Sequence, residues 1–369
     1  MPAWAGEPLG WRVGAAADPL SPRLTTGSDP PAAMSLPAAP CPSQCYDTSK
    51  VFCSEERMRE IPAGLPGNAT QLFFVETALS SVRSGALGSS TTLTKLVFLN
   101  NNIQELEAGA FRGLPSLTEL EVSGNPLPAV SPGMLVGLPN LSKLSLGANT
   151  FRSLQPGLFT AACHLQDLRL PGNKIEALPL GIFHPLRRLQ TLDLSQNALA
   201  ELPAGLLAPL TTLRLLKLSD NLLARVPPGA FRALGQLAEL HLDGNRLEEL
   251  PDDAFAGLGG LRRLVRVGLA NNPWACDCRL SYLLGWLQSF AEPLTHAQAS
   301  CASPAALRGR SLLEVPQGQL ECPGALGIPL EEGWDGELGE DALGQCTYSN
   351  PEGTVSMSCD ATSCQQLSL

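Results

Sequence analysis

The chain has 369 residues, a formal net charge of −10 and a charged fraction of 16%. It contains no basic run, which argues against a nucleic-acid partner, and no run of about 18 apolar residues that would span a membrane. Eleven cysteines lie towards the two ends of the chain, apart from Cys163, and this placement indicates disulfides and an oxidising compartment.

Residues 1–40 are rich in proline and contain scattered charges. They lack the apolar core of roughly 7–15 residues that a secretory signal needs, which leaves a lost signal or a mispredicted first exon as explanations. We expect this leader to be disordered and to have no function. An N-terminal cysteine cap with Cys41, Cys45 and Cys53 follows at residues 41–67.

Residues 68–273 contain an internal repeat. Leucines or close substitutes stand three, five and eight residues before each of seven asparagines spaced 24 residues apart. We call this set the asparagine ladder: Asn101, Asn125, Asn149, Asn173, Asn197, Asn221 and Asn245. This is the pattern of the leucine-rich repeat, which predicts a stacked array whose function is read from a surface.

Each turn contains one short strand, as in 191–195, where Leu192 and Leu194 are expected to face the core. The asparagine side chain should satisfy backbone groups where the chain bends. Recurrent prolines after the bend make long helices unfavourable on the convex side. A phenylalanine register should fill the core: Phe111, Phe159, Phe183, Phe231 and Phe255, with Leu87, Leu135 and Leu207 in the other turns. Cys163 is expected to be a small buried apolar group.

Both ends of the array are irregular. Thr77 stands where the first asparagine should be, and the last step, to Asn272, is 27 residues. We place the final strand at 266–270, which gives about nine turns. The predicted fold class is an α/β solenoid: a horseshoe with parallel concave strands, an irregular convex side and disulfide-stapled caps at both ends.

The C-terminal cysteine cap spans residues 274–323. Its C-x-C…C…C set is expected to form disulfides, because C-x-C lacks the usual C-x-x-C spacing of zinc ligands; the set is Cys276, Cys278, Cys301 and Cys322. Apolar residues from Leu280 to Phe290 at helical spacing predict a helix that closes the array. A tail with three cysteines follows at 324–369.

Several stretches of the chain resemble the regulatory, non-catalytic subunit of carboxypeptidase N. They are VFCSEE (51–56), LFFVET (72–77), LTKLVFLN (93–100), NPWACDCRLSYLLGWLQ (272–288) and CTYSNPEGT (346–354). The resemblance implies a secreted plasma glycoprotein that binds and stabilises the zinc carboxypeptidase catalytic subunit. By analogy with caps of this kind, Cys45 pairs with Cys53, and Cys41 is left without its partner. The sequons at Asn68 and Asn140 are expected glycosylation sites.

Two groups on the concave strands are candidate partner-binding sites. The first is apolar and comprises Phe73, Val75, Val97 and Leu99. It marks either an interface or a surface over which the N-terminal cap folds. The second comprises Glu239, His241 and Asp243. It would either attract a basic partner or form a solvated face of mixed charge.

The motifs of catalysis are missing from the sequence. The four histidines lie in different turns or in the C-terminal cap, and none belongs to an H-E-x-x-H motif. We therefore expect no enzymatic activity, no cofactor and no metal. The alternatives to a carboxypeptidase scaffold are a free-standing extracellular binder of a growth factor or matrix protein, and a shed or truncated receptor ectodomain.

Overall fold

The computed structural model describes residues 45–47, 49–256, 258, 266–289 and 298–322, together with the backbone of three strands within 344–366. Cys41, Phe290, His296, the leader and the irregular segment before Arg266 lie outside the described residues.

The described N-terminal cap and the repeats contain thirteen strands. They are β1 (Cys45–Tyr46), β2 (Lys50–Cys53), β3 (Gln71–Val75), β4 (Ser81–Val82), β5 (Lys95–Leu99), β6 (Glu105–Leu106), β7 (Glu119–Ser123), β8 (Lys143–Ser145), β9 (Asp167–Arg169), β10 (Thr191–Asp193), β11 (Leu215–Lys217), β12 (Glu239–His241) and β13 (Arg266–Gly268).

Eleven of these strands form one sheet in the order β1-β2-β3-β5-β7-β8-β9-β10-β11-β12-β13, and β4 pairs with β6. Only β1 runs antiparallel within the large sheet, and the other strands pair in parallel with equivalent residues opposite each other, as Leu192 pairs with Leu216. The predicted solenoid of parallel strands is therefore confirmed, and the last strand lies inside the predicted 266–270 segment.

The core lies behind this sheet. Leu192 and Leu194 are fully buried, as are their equivalents in the neighbouring turns. Each such side chain contributes roughly 1.5–3 kcal/mol when it leaves water. Since one turn cannot cover its own apolar side, the stacking of neighbours stabilises the whole array.

The asparagine ladder connects each turn to the one before it. Asn197 is representative: its Nδ2 donates to the carbonyl of Leu170 at 2.9 Å, and its Oδ1 accepts from the backbone N–H of Ile175 at 3.1 Å. In the first turn, Thr77 donates from its backbone N–H and its hydroxyl to Asn101 Oδ1. The predicted structural role of the ladder is confirmed.

The residue before each ladder asparagine has a left-handed backbone. The φ angle there is +49° at Ala148, +56° at Gln196 and +67° at Gly172. This conformation costs a non-glycine residue about 1–2 kcal/mol. A Cβ added at Gly124 would overlap Asn100 Oδ1, whereas one added at Gly172 would find its nearest neighbour at 3.5 Å. Residues of several types therefore adopt the left-handed conformation at this position, and the turn of the backbone requires it whichever residue is present.

Outside the concave sheet, the described repeats contain turns, the paired short strands β4 and β6 and one short 3₁₀ helix at Pro132–Leu135, but no long helix, as the recurrent prolines predicted. The phenylalanine register is buried in every turn that has it. Leu135 and Leu207 are also buried, but Leu87 is only partly buried beside a surface notch of about 300 Å³. The first turn is therefore less completely filled than the others.

The described part of the C-terminal cap closes the last turn. It contains β14 (Trp274–Ala275), α1 (Ser281–Gln288) and β15 (Cys301–Ser303), with 3₁₀ helices at Cys278–Leu280, Ala305–Leu307, Leu312–Glu314 and Gln317–Gln319. Trp286 of α1 packs on Phe255 at a centroid distance of 4.2 Å, so the predicted closing helix covers the end of the phenylalanine register.

The described residues of the two caps form three disulfides, Cys45–Cys53, Cys276–Cys301 and Cys278–Cys322. The tail contains an antiparallel sheet of β16 (Gly344–Asn350), β17 (Gly353–Cys359) and β18 (Cys364–Gln366).

The expectation for Cys163 was wrong, because its thiol is free and exposed. The core position is occupied instead by Ala162, which is 3% exposed and takes the place of the leucine that follows the phenylalanine by three residues in other turns, such as Leu186 after Phe183.

Candidate functional site

The concave face of the sheet is the surface on which the candidate residues lie. Outward positions alternate with buried ones along each strand, so outward residues of neighbouring turns form rows across the sheet. One row begins at Phe52, Phe73 and Val97, and the next contains Val75 and Leu99. The first predicted group is thus brought together by strand register.

The apolar group is only partly accessible. Phe73, Val75 and Leu99 are half-buried, but Val97 is 4% exposed. Val97 is also not part of the hydrophobic core behind the sheet. Outward neighbours therefore cover it on the concave face, and a partner would contact mainly the other three residues.

The described part of the N-terminal cap extends the sheet instead of folding over its concave face. Strand β2 pairs in parallel with β3, and β1 pairs with β2. Phe52 stacks on Phe73 at a centroid distance of 4.5 Å, and Tyr46 stacks on Phe52 at 5.9 Å. Sequence reasoning missed these two rings, although Phe52 alternates with the buried Val51 and Cys53 as an outward strand residue should.

The centre of the concave face contains matched charges around a depression of about 240 Å³. Glu119 accepts from Lys143 at 2.7 Å and lies 3.1 Å from Lys95. The hydrogen bond from Lys143 is the main reason why the pKa of Glu119 is lowered, against the effect of burial. Asp167 and Arg169 form a bidentate pair.

The second predicted group lies on and just after β12. His241 places Nε2 3.6 Å from Glu239 and Nδ1 3.6 Å from Asp243. The carboxylate of Asp243 raises the pKa of His241; partial burial opposes this, and Glu239 adds to it. Burial acts to raise the pKa of Asp243, but His241 and backbone N–H donors outweigh it, and the pKa is lowered.

This second group is therefore an internally paired cluster with a cation on either side. Lys217 on β11 lies 3.7 Å from Asp193, and Arg266 on β13 is exposed and in register with Glu239. The cluster alone has no feature that selects a ligand.

Both predicted glycosylation residues are exposed. Asn68 lies just before β3, and Asn140 lies just before β8, where its Nδ2 donates to the carbonyl of Pro115 at 2.9 Å. His164 and His184 are also exposed. Within the part of the chain that the structure describes, no group of three or more His, Cys, Asp or Glu side chains could hold a metal ion.

Comparison with known proteins places this fold in a family. Five overlapping matches to the leucine rich repeat model cover residues 70–268, and the leucine rich repeat C-terminal domain model matches residues 298–323. The chain belongs to the leucine rich repeat family. Both matched models describe the repeat and its cap, and neither describes a catalytic domain.

Among leucine rich repeat proteins, carboxypeptidase N subunit 2 of Homo sapiens is 42% identical over 118 residues. This match covers 29% of the chain and spans only 22% of the length of that relative. Human 5T4, trophoblast glycoprotein, has a similar structure with a TM-score of 0.59 and 30% identity, over 76% of this chain and 98% of that one.

A second similar structure is a chain in the octameric complex of Latrophilin 3, Unc5D and FLRT2. Its TM-score is 0.68 at 28% identity, over 74% of this chain and 83% of that chain. No helix among the described residues has both the length and the apolar character needed to cross a bilayer.

Proposed function

We propose that this chain is a secreted, non-catalytic scaffold that binds and stabilises the zinc carboxypeptidase catalytic subunit of carboxypeptidase N through its concave face. The main support is the apolar group on β3 and β5, because Phe73, Val75 and Leu99 lie outside the core on an open sheet surface. Apolar surface that the fold itself does not bury often marks a protein interface.

The proposed partner rests on the similarity to carboxypeptidase N subunit 2, whose name describes it as one subunit of an assembly. The proposed extracellular location rests on the three disulfides, which persist in oxidising compartments, and on the exposed sequons at Asn68 and Asn140. A scaffold without its own chemistry would leave peptide hydrolysis to the partner chain.

Binding and stabilisation can be tested together. The secreted chain would be mixed with the purified catalytic subunit, and the mixture would be run on gel filtration. We expect co-elution and a longer half-life of peptidase activity at 37 °C. A partner that binds the native catalytic subunit and not its unfolded form stabilises the native form. Separate elution with an unchanged half-life would refute the proposal.

Variants locate the interface on the concave face. Val75→Asp with Leu99→Asp should abolish co-elution, since both side chains are half-buried and outside the core. Leu180→Asp is the matched control, because Leu180 is 70% exposed on the convex side. Circular dichroism would verify that each variant folds. Binding that survives in the folded double variant would exclude the apolar group as the docking site.

A free-standing binder of a growth factor or matrix protein is the second candidate. It is favoured by the structural similarity to a chain in the Latrophilin 3, Unc5D and FLRT2 complex, a multi-protein assembly. Elution of the chain alone from plasma fractions, together with direct binding to a purified matrix protein, would favour this alternative.

A further inference from the structure

Three aromatic rings form a continuous stack that begins in the N-terminal cap and ends on the first repeat. We call Tyr46, Phe52 and Phe73 the aromatic row. Tyr46 and Phe52 have an interplanar angle of 16°, and Phe52 and Phe73 have one of 6°. The row lies on the concave face, since the residues that alternate with it, such as Cys45 and Phe74, are in the core.

The aromatic row presents apolar area to solvent. Tyr46 is 60% exposed, and Phe52 and Phe73 are half-buried. Aromatic side chains dominate the energetics of protein interfaces because they bury a large area with few rotatable bonds. Val75 and Leu99 lie in the adjacent outward row, so the apolar surface extends across the cap and the first two repeats.

An outward row rich in lysine borders this surface on the side where the strands begin, with Glu119 between Lys95 and Lys143. Lys50, Lys95 and Lys143 occupy outward positions two residues before Phe52, Val97 and Ser145. We call these three residues the lysine row.

The outward row from β2 to β8 contains three lysines and one carboxylate, Glu119, and Asp167, which is next in the row, is paired with Arg169. Lys95 and Lys143 share the single carboxylate of Glu119, and Lys50 is exposed and forms no ion pair with another described residue. Three lysines and Glu119 give this stretch of the row a formal charge of +2, or +1 when Glu121 of the adjacent row is included, on a chain of net charge −10. Such a field attracts carboxylates of a partner and repels its cations.

We propose that the aromatic row and the lysine row together form a docking site for an extended acidic–hydrophobic segment of a partner protein. Apolar side chains of the segment would pack on the rings, and its carboxylates would pair with Lys50, Lys95 and Lys143. This rests on the proposed function only in placing the partner on the concave face. It adds the chemistry of the contact and includes the cap in the interface.

The test uses the full secreted chain and a short fluorescein-labelled peptide in which Phe and Leu alternate with Asp and Glu. A second peptide carries Lys in place of every Asp and Glu. Fluorescence anisotropy should give a Kd about tenfold lower for the acidic peptide at low salt, and this preference should shrink as salt screens the charges. Equal affinity of the two peptides would overturn the proposal.

Variants assign the binding to the two rows. Tyr46→Ala should weaken acidic-peptide binding by about tenfold, and Lys50→Glu should weaken it while strengthening binding of the basic peptide. Both residues are exposed, so both variants should fold. The matched controls are Leu180→Asp and Lys174→Glu, which change exposed residues away from the concave face. Unchanged binding in Tyr46→Ala and Lys50→Glu would place the peptide elsewhere and refute the assignment.

Two further outcomes separate this proposal from its competitors. A chain that sediments as a dimer, and that Tyr46→Asp converts to a monomer, would make the surface a contact between two copies and would overturn the peptide assignment. Selective acidic-peptide binding by a chain that does not co-elute with the catalytic subunit would support this site and refute only the named partner.

Discussion

Removal of a ladder asparagine should lower the free energy of unfolding, by an amount that follows from the hydrogen bonds that are lost. In Asn197→Ala, the backbone N–H of Ile175 loses its acceptor at 3.1 Å. The carbonyls of Leu170 and Leu194 each lose one donor, at 2.9 Å and 3.0 Å, but keep a second donor in Asn173 and Asn221 respectively. The N–H of Ile175 left without a partner costs about 1–3 kcal/mol, and each of the two lost bonds to carbonyls costs about 0.5–1.5 kcal/mol, which together predict a loss of about 2–6 kcal/mol.

Asn149 is the matched control. Its Nδ2 donates to Val122 at 2.7 Å and to Leu146 at 2.9 Å, but its buried Oδ1 has no hydrogen-bond partner among the described residues. Asn149→Ala therefore loses the same donors without stranding a backbone N–H, and it also removes an unsatisfied oxygen. Its cost should be smaller than that of Asn197→Ala by about 2 kcal/mol.

The assay is urea unfolding followed by circular dichroism, with the change in unfolding free energy taken at a common slope. Tryptophan fluorescence from the C-terminal cap serves as a second probe, because a repeat array can lose two-state behaviour. The two probes should give the same midpoint when unfolding is two-state. If Asn149→Ala and Asn197→Ala were equally destabilising, the bond to Ile175 would contribute nothing, and the reasoning from individual hydrogen bonds would fail.

Three other changes test the packing, the backbone turn and the histidine cluster. Leu87→Phe should raise the free energy of unfolding by about 1 kcal/mol by filling the notch beside it, whereas Leu207→Phe, in a fully buried site, should lower it by about 1–3 kcal/mol; urea unfolding of both variants checks this. Gly124→Ala should destabilise more than Gly172→Ala, by roughly 1 kcal/mol, because the first new methyl group would overlap the Asn100 side chain, whereas the second would make ordinary contact with Ala148; equal melting temperatures would contradict this. The folded-state pKa of His241 is raised. The stabilisation from its positive charge is therefore fully present at pH values below its unfolded-state pKa of about 6.5, and it is lost as pH rises through the folded-state pKa. His241→Gln should therefore lower the melting temperature at pH 5.5 and have little effect at pH 9.

The positions of the strands and the core could be predicted because the repeat fixes both. A period of 24 residues places equivalent leucines in register, and the alternation within each strand decides which side chains enter the core. The same logic applied to the register after Phe159 would have excluded Cys163 from the core, since Ala162 occupies the position of the inward leucine.

The properties that depend on adjacency across turns could not be predicted from sequence. Lys50, Lys95 and Lys143 lie 45 and 48 residues apart in the chain, so no basic run is visible. Tyr46 and Phe52 join the concave face only because the cap continues the sheet, and cap sequences have no fixed period from which this could be predicted. The left-handed positions before each asparagine have no common residue type, so no motif marks them.

The backward-directed bonds of the asparagine ladder make the turns interchangeable units. Asn173, Asn197 and Asn221 each bond to carbonyl oxygens 27 residues earlier and to N–H groups 22 residues earlier. Deletion of one complete 24-residue unit would therefore leave every remaining asparagine facing an equivalent partner. Each deletion would bring the aromatic end and the histidine end of the inner surface closer by one strand spacing, about 4.8 Å. The number of turns thus acts as a molecular ruler that sets which partner dimensions the array can accept.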